Sequence, residues 1–426
     1  MIVQQPRRLD ATAVPPVPQG MAPEPSPLAL VHGQREGQWW WTLLRKVSYG
    51  IGDDGRMHRA VRQEPIHTRQ APHDPLPDWL GADAGRKGSM KTVAEARAFQ
   101  SGTDVVVRGH AASAEPVTDM VAGVAVAGHT HKLRVWGARR SVLQGSLVHF
   151  TPPEPFQRVP LRSELAYGGF DPVALKAALD EMARRLGPLA WRRGAAFLKD
   201  IFPATVPIAY ARNPVGMGYV ADPVPQALHD VALPRIELAR DLLTPERFAQ
   251  GQPLAWLSRP VPAGLDFMDT RMFPRTAMLG LPPPGLPAGS PACAEVDWGQ
   301  VPPDFSRGNL MSADEAQLQD VLHPDAGRCA PIGLRLPGLS GREVVSLIGL
   351  RADMPRWDFA LPAERPAFEV PGQGVLPSAL WQVFIDADAR RAELLWAASW
   401  AGGRELAPGE DRALLPKVGT RVEVLA

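Results

Sequence analysis

Histidines are the residues of this chain best suited to chemistry. His129 and His131 alternate along a candidate strand, so both imidazoles would project from one face of a sheet. Two imidazoles can supply half of a metal site, and His110 or His149 is a candidate third ligand because each lies near a strand. Neither an HExxH nor a CxxC pattern accompanies them. We therefore favour solvated or turn histidines, and keep a metal-dependent hydrolase around His110, His129 and His131 as an alternative.

Carboxylates and thiols form the next group of reactive side chains. Asp266 and Asp269 lie close together in a predicted loop, where solvation or capping is favoured over acid–base chemistry. Cys293 and Cys329 have no neighbouring motif that would activate a thiolate. A GxGxxA pattern begins at Gly216, but flanking prolines prevent a helix from starting where a dinucleotide phosphate would need it. We expect no enzyme activity, no cofactor and no bound metal.

Proline and glycine content limits the elements that can position these residues. The 426 residues include 46 prolines and 39 glycines, about one residue in five against ~12% on average. Proline interrupts helices and central strands, so the chain must consist of short elements and many turns. Since 45% of the residues are hydrophobic, the chain can still bury a core. These values predict a mainly β fold (β-rich α+β): short strands in two packed sheets or sandwich-like halves, with a few short helices and many Pro/Gly turns.

Charge and hydropathy argue against several classes of partner. The chain carries 46 Lys and Arg against 45 Asp and Glu, so its net charge of +1 offers no global field for nucleic acid or anionic membrane. No stretch approaches the ~18–20 apolar residues of a membrane span, and the N-terminal region lacks the apolar run of a secretory signal. Two cysteines in this length favour a reducing compartment. We expect a cytoplasmic protein that binds neither nucleic acid nor membrane.

Runs of β-branched and aromatic residues predict the strands, and polar N-caps or capping boxes predict the shorter helices. The predicted strands are residues 37–49, 104–108, 120–128, 132–137, 343–350, 367–370, 380–385, 392–400 and 421–425. Residues 142–150 are expected to continue the first sheet, and 380–385 to form a hairpin with 392–400. The shorter predicted helices are residues 92–102, 244–250 and 312–322.

The clearest helix is predicted over residues 171–186. Asp171 is a suitable N-cap, and Pro172 suits the first helical turn. Apolar residues then recur at helical spacing, which places them on one face. They are Leu175, Leu179, Met182 and Leu186. This face is a candidate partner contact, and ordinary packing against the sheet is the favoured alternative.

Changes in composition divide the chain into parts. A flexible proline-rich leader covers residues 1–28, and an N-terminal β-rich domain covers 29–222, with a helical insertion at about 171–200. Residues 223–303 are the most proline-dense and are predicted to form an extended connection. A C-terminal β-rich part covers residues 304–426.

Short motifs in a fixed order carry a family resemblance. The main blocks are Thr103 to Ala111, Lys132 to Arg139, Pro155 to Leu161, Glu164 to Gly169, Asn213 to Gly218 and Leu233 to Glu237. Through these blocks, and over about residues 37–400, the chain resembles the bacterial family called domain of unknown function 2169 (DUF2169). We interpret the following as structural signature residues of that family: Gly109, His110, Lys132, Gly137, Pro155, Phe156, Pro160, Leu161, Glu164, Gly168, Gly169, Asn213, Pro214, Gly216, Gly218, Pro234 and Glu237.

The resemblance implies a function as well as a fold. Members of this family resemble adaptors or chaperones linked to type VI secretion, which load toxic effectors onto a VgrG-type spike. For this chain the resemblance implies a non-enzymatic protein whose partners are an effector and the spike. It implies no small-molecule substrate and carries over no catalytic residue. The alternatives are the hydrolase described above and a structural or assembly component of the secretion apparatus.

Overall fold

Short strands joined by proline- and glycine-containing turns account for most of the described chain. The computed structural model describes residues 23–35, 37–73, 89–100, 102–169, 171, 184, 210, 213, 215–220, 225–250, 260–267, 329–331 and 333–425. The earlier strands are β1 (Leu28–Arg35), β2 (Gln38–Ile51), β3 (Met57–Arg59), β4 (Ala71–Pro72), β5 (Met90–Thr92), β6 (Thr103–Arg108), β7 (His110–Val117), β8 (Asp119–Val126), β9 (His129–Trp136), β10 (Ser141–Gln144), β11 (Leu147–Phe150), β12 (Phe156–Pro160), β13 (Tyr167–Gly168), β14 (Met217–Gly218) and β15 (Ile236–Leu238). The later strands are β16 (Arg335–Leu336), β17 (Val344–Ile348), β18 (Arg356–Ala360), β19 (Glu364–Val370), β20 (Gly374–Pro377), β21 (Ala379–Asp386), β22 (Arg391–Ala401) and β23 (Gly419–Val424). The described α-helices are α1 (Pro245–Ala249) and α2 (Glu410–Leu414).

The larger sheet interleaves strands from distant parts of the chain. Its seven strands follow the order β1-β2-β22-β21-β6-β16, with β3 paired to β2. The pair β21–β6 is parallel, and the other pairs of this sheet are antiparallel. Because β22 and β21 lie between β2 and β6, the sheet joins segments on both sides of residues 223–303.

The second large sheet has the same mixed origin. Its five strands follow the order β15-β9-β8-β17-β18, and each neighbouring pair is antiparallel. Two-stranded sheets pair β10 with β11, β12 with β7, β13 with β14 and β4 with β5, and a three-stranded sheet follows β20-β19-β23. The short strands and frequent turns expected from the proline and glycine content are therefore present.

One hydrophobic core is shared by the two large sheets. Val106 and Leu394 of the seven-stranded sheet belong to the same buried cluster as Val124 and Leu347 of the five-stranded sheet. Burial of each such side chain contributes about 1.5–3 kcal/mol relative to leaving it in water. The mainly β fold predicted from composition is confirmed.

One predicted strand pairing is wrong. The sequence predicts that residues 142–150 continue the first sheet, whereas β10 and β11 form a separate antiparallel hairpin. Ser141 accounts for the separation, because its N–H donates to the carbonyl of Val231 and its hydroxyl accepts from the N–H of Val231, both at 3.0 Å. These bonds hold β10 against the loop before β15.

The shorter predicted helices have different outcomes. The helix over residues 244–250 is confirmed as α1, and its N-cap Thr244 accepts a hydrogen bond from the N–H of Arg247 at 3.2 Å. The helix predicted over 92–102 is wrong, because β5 ends at Thr92 and the described residues 93–100 form neither helix nor strand. Glu95 is buried against Lys46 and does not complete a capping box.

Two further predicted helices lie mostly or wholly outside the described residues. Of the helix predicted over residues 171–186, the described residues are Asp171, which is buried, and Arg184, which is helical. Its apolar face (Leu175, Leu179, Met182 and Leu186) lies outside the described residues, as does the helix predicted over 312–322. Within the described ranges, no helix combines the length and the apolar character needed to cross a membrane.

Candidate functional site

The Gly-Gly and Asn-Pro-x-Gly-x-Gly blocks of the sequence meet in one tight unit. β13 runs parallel to β14, with Tyr167 opposite Met217 and Gly168 opposite Gly218. The side chain of Asn213 is fully buried beside this pair, and its Nδ2 donates to the carbonyls of Ser163 at 2.8 Å and Tyr167 at 3.1 Å. The amide thus joins the turn before β13 to the turn before β14.

Glycine is required at two positions of this unit for steric reasons. A Cβ on Gly168 would lie 2.2 Å from the carbonyl oxygen of Asn213, and the φ of Gly168 is +147°. A Cβ on Gly216 would lie 2.4 Å from Nδ2 of Asn213. Since a side chain at either position would displace the asparagine, these signature residues act by close backbone approach.

Most of the remaining signature residues lie in the interior. Those buried are Gly109, Gly137, Phe156, Leu161, Glu164, Gly169, Gly218, Pro234 and Glu237. Pro160 is half-buried, Lys132 and Pro155 are exposed, and Pro214 lies outside the described residues. The resemblance is therefore carried mainly by residues that shape turns and fill the core.

Glu237 shows how a charged signature residue serves structure. Its Oε2 accepts from Nη2 of Arg139 at 2.5 Å, and its Oε1 accepts from the N–H of Leu243 at 2.6 Å. Burial raises the pKa of Glu237 above its ordinary value, although the guanidinium opposes that rise. Arg139 also stacks over the ring of Trp136, 4.4 Å from its centroid. This ion pair ties β15 and its following turn to the end of β9.

The signature residue His110 is polar and partly exposed, and it belongs to a site built from three elements. We call His110, Arg158 and Asp388 the His110 cluster. His110 begins β7, Arg158 lies on the neighbouring β12, and Asp388 lies in the turn between β21 and β22. Nδ1 of His110 is 2.6 Å from Oδ2 of Asp388, and Nη2 of Arg158 is 3.1 Å from Oδ1 of Asp388. The exposed side-chain fractions of His110, Arg158 and Asp388 are 31%, 57% and 34%, so the cluster is open to a partner.

A partly buried ion pair lies at the end of β6, the strand next to β21. Nε and Nη2 of Arg108 bind the two carboxylate oxygens of Asp266 at 2.8 and 3.0 Å, and Nε2 of His73 lies 3.3 Å from Oδ2. Burial would raise the pKa of Asp266, but Arg108 and His73 outweigh it and lower the pKa. Arg108 also covers the ring of Phe384, 4.9 Å from its centroid. Asp266 is thus ion-paired rather than solvated, its Oδ1 also accepts from the backbone N–H of Phe267 at 2.8 Å, and Asp269 lies outside the described residues.

Two carboxyl groups at the end of β21 have pKa values shifted in opposite directions. Burial raises the pKa of Asp386, and the nearby charges of Asp388 and Asp266 act in the same direction. Burial also opposes ionisation of Asp388, but His110 and Arg158 outweigh it and lower the pKa of that carboxyl. The His110 cluster therefore presents an ionised carboxylate beside a guanidinium and an imidazole. This arrangement suits recognition of a polar or charged surface.

The three histidines of the metal hypothesis occupy different settings. His110 contacts Asp388, His129 is exposed at the start of β9, and His131 is buried further along that strand. Burial lowers the pKa of His131 to about 4, although a hydrogen bond with the Gly264 backbone opposes the shift. Within the described residues, no group of three or more His, Cys, Asp or Glu side chains is placed to hold a metal ion. The described part of the chain thus supplies no donor set for that alternative.

A buried polar network on the seven-stranded sheet was not evident from the sequence. Nζ of Lys46 lies 2.9 Å from Oε1 of Glu95 and 2.7 Å from Oε2 of Glu393, and Lys46 is 1% exposed. Gln382 continues the network, because its Nε2 donates to Glu95 at 3.2 Å and its Oε1 accepts from Arg97 at 3.1 Å. One sequence signal could have located this network. Val93, Glu95 and Arg97 alternate with alanines, which is a strand-like period of two, and all three are buried in the structure.

These features define a class of protein: a β-rich scaffold whose family-signature residues hold turns and core together, with an exposed polar cluster at the end of its larger sheet. The chain belongs to the family described as an uncharacterized protein conserved in bacteria (DUF2169), whose model matches residues 36–397. No curated protein and no solved structure matches the chain. The family resemblance is confirmed from β2 into β22, whereas β1 and β23 lie outside the matched residues.

Proposed function

We propose that this protein is a cytoplasmic adaptor, or chaperone, that binds a type VI secretion effector and helps load it onto a VgrG-type spike without catalysing a reaction. The observation that carries this proposal is the role of the signature residues. Asn213, Gly168 and Gly216 stabilise two turns, and Glu237 holds β15 in place through its hydrogen bonds. The family-signature residues of this chain therefore stabilise its fold. A defined shape that presents a binding surface is what loading an effector requires.

The His110 cluster is the contact that the described residues offer for this role. It contains His110, which together with the exposed Lys132 is a polar signature residue outside the interior. Its three side chains come from β7, β12 and a turn, so the fold holds them in place without using them in the core. Arginine is enriched at protein interfaces, and a partner carboxylate can bind Arg158 in competition with Asp388. The helix face predicted over residues 171–186 stays a second candidate contact.

Affinity purification from the native host tests the proposal. The tagged full chain should retain an effector and a spike protein, identified by mass spectrometry, and deletion of its gene should stop secretion of that effector while the spike still assembles. The effector should remain in the producing cell together with this protein. Recovery of the protein in the secreted particle would instead indicate a structural component, and an unchanged secretion profile would contradict an adaptor role.

A matched pair of variants tests the contact. Arg158→Glu should weaken effector binding at least about tenfold, because it places a carboxylate beside Asp388 and repels an acidic partner group. Arg140→Glu makes the same charge change in another exposed ion pair, that of Arg140 with Asp230, and should leave binding unchanged. If both variants bind the effector equally well at unchanged thermal stability, the His110 cluster is not the effector contact. The adaptor proposal itself would then still depend on the secretion test.

A further inference from the structure

The C-terminal strand β23 forms an edge of the three-stranded sheet β20-β19-β23. Among the described residues, β23 pairs with β19 and with no strand on its other side, which we call the free edge of β23. Val422 and Val424 on this strand are 49% and 82% exposed. Native edge strands are usually protected by lysine, proline or a covering loop, because an unprotected edge offers its backbone groups to another strand. The two exposed valines lie on one face of a strand whose outer backbone groups are available to another strand.

The backbone of β23 directs a regular set of groups to the free edge. The N–H of Leu425 donates to the carbonyl of Ala363 at 2.8 Å, in register with the pairing of β23 and β19. Because antiparallel pairs alternate, the residues whose N–H and C=O groups point away from β19 are Thr420, Val422 and Val424. Pro366 lies opposite Val422, and since proline has no N–H, its place in a pair without hydrogen bonds agrees with this assignment.

The sequence of β23 is complementary to itself in the antiparallel direction. Consider two copies of β23 paired antiparallel and centred on Val422. Val422 of one copy then lies opposite Val422 of the other, Thr420 lies opposite Val424, and Arg421 lies opposite Glu423. The three residues with outward backbone groups then fall in hydrogen-bonded pairs. Arg421 and Glu423 fall in the pairs without hydrogen bonds, where side chains approach more closely and opposite charges stabilise the sheet.

We propose that β23 pairs with β23 of a second copy of this chain, joining two three-stranded sheets into one six-stranded sheet across a two-fold axis. A strand that matches its own reverse in charge favours an identical partner over an unrelated one, as a two-fold interface requires. Arg365 of β19 already binds Oε2 of Glu423 at 2.7 Å, and Nη2 of Arg421 lies 3.9 Å from Oε1, so Arg421 of a second copy would share this carboxylate. β23 lies outside the residues that the family model matches, so the proposal rests on the residues of this chain alone. The proposal is independent of the adaptor role.

The oligomeric state of the full chain tests the proposal, and charge exchange tests its register. Sedimentation equilibrium should give a reversible dimer that dissociates on dilution, because one strand pair makes a small interface. Arg421→Glu and Glu423→Arg each place like charges opposite one another in both ion pairs, and each should weaken the dimer at least about tenfold. An equal mixture of the two variants should restore it, because each acidic position of one chain then faces a basic position of the other.

Arg412 on α2 offers a control position on a different element. Arg412→Glu makes the same charge change on the exposed surface of α2 and should dimerise like the unmodified chain. Restoration by mixing would also show that both edge variants are folded. A monomer at all concentrations, a dimer insensitive to both edge variants, or a mixture that stays monomeric would each overturn the proposal. If the free edge of β23 binds an effector strand instead, the purified chain should be a monomer at all concentrations.

Discussion

The imidazole of His131 is a buried titratable group with an incomplete set of partners. It lies on β9 opposite Val124, and its Nε2 has no hydrogen-bond partner among the described residues. Nδ1 faces the Gly333 turn so closely that a Cβ on that glycine would lie 2.9 Å away. Burial favours the neutral ring, which lowers the pKa to about 4, and the charge of Arg240 acts in the same direction.

His131 makes folding stability depend on pH over a defined range. Its pKa is about 4 when folded against 6.5 as the ordinary value, so the unfolded chain binds more protons between these limits. The contribution is fully present above pH 6.5 and is lost as the pH falls towards 4, by up to about 3 kcal/mol. His131→Leu should remove this loss, as measured by urea unfolding at neutral and at acidic pH. An equal loss in the variant and the unmodified chain would contradict this assignment.

Sequence spacing placed the two imidazoles on one face of a candidate strand but did not predict their separate environments. His129 and His131 share a face of β9, yet the first lies at an exposed hairpin end and the second lies in the core. The Lys46–Glu95 ion pair joins two residues that are 49 positions apart. Such contacts depend on which strands become neighbours, and local residue patterns carry little information about that.

At the scale of elements, strong local signals and tertiary burial decide different cases. The β-branched run in β6 and the proline-led turn of α1 formed the predicted structures because burial and local preference agree there. At Thr92, burial and local preference disagree. Glu95, three residues after Thr92, suggests a capping box, but its carboxylate binds the buried ammonium of Lys46. An unpaired buried charge costs several kcal/mol, more than a helix cap contributes, so a non-helical conformation prevails.

The unit formed by β13, β14 and Asn213 predicts how glycine substitutions will behave. Gly168→Ala and Gly216→Ala should each lower the free energy of unfolding by about 1–3 kcal/mol, because the new methyl group would collide with Asn213. Gly338→Ala is the matched control, since no atom lies within 4 Å of its Cβ position. Urea unfolding of the three variants gives the comparison. Equal effects at all three glycines would show that the asparagine contacts do not constrain the turn.

At the scale of the whole molecule, both large sheets depend on strands from distant parts of the chain. In the parallel pair β21–β6, Gln382 lies opposite Asp104, and β17 pairs with β8 in the second sheet. Composition predicted a β-rich protein but not this interleaving, because alternation and turn residues report on one strand at a time. The sequence divides the chain at residues 223–303 because proline is most dense there. Proline density indicates an irregular connection, but it does not indicate which strands pair across that connection.

Splitting the chain at the predicted boundary decides whether its two parts fold independently. Fragment 1–303 would lack β21 and β22, which lie between β2 and β6, and fragment 304–426 would lack the strands that flank them. Each fragment alone would expose unpaired edges and half of the shared core, so we expect neither to unfold cooperatively in urea. Co-expressed fragments should associate and recover the cooperative transition of the intact chain. Cooperative unfolding of either fragment on its own would instead establish a separate domain and place the boundary where the prolines indicate.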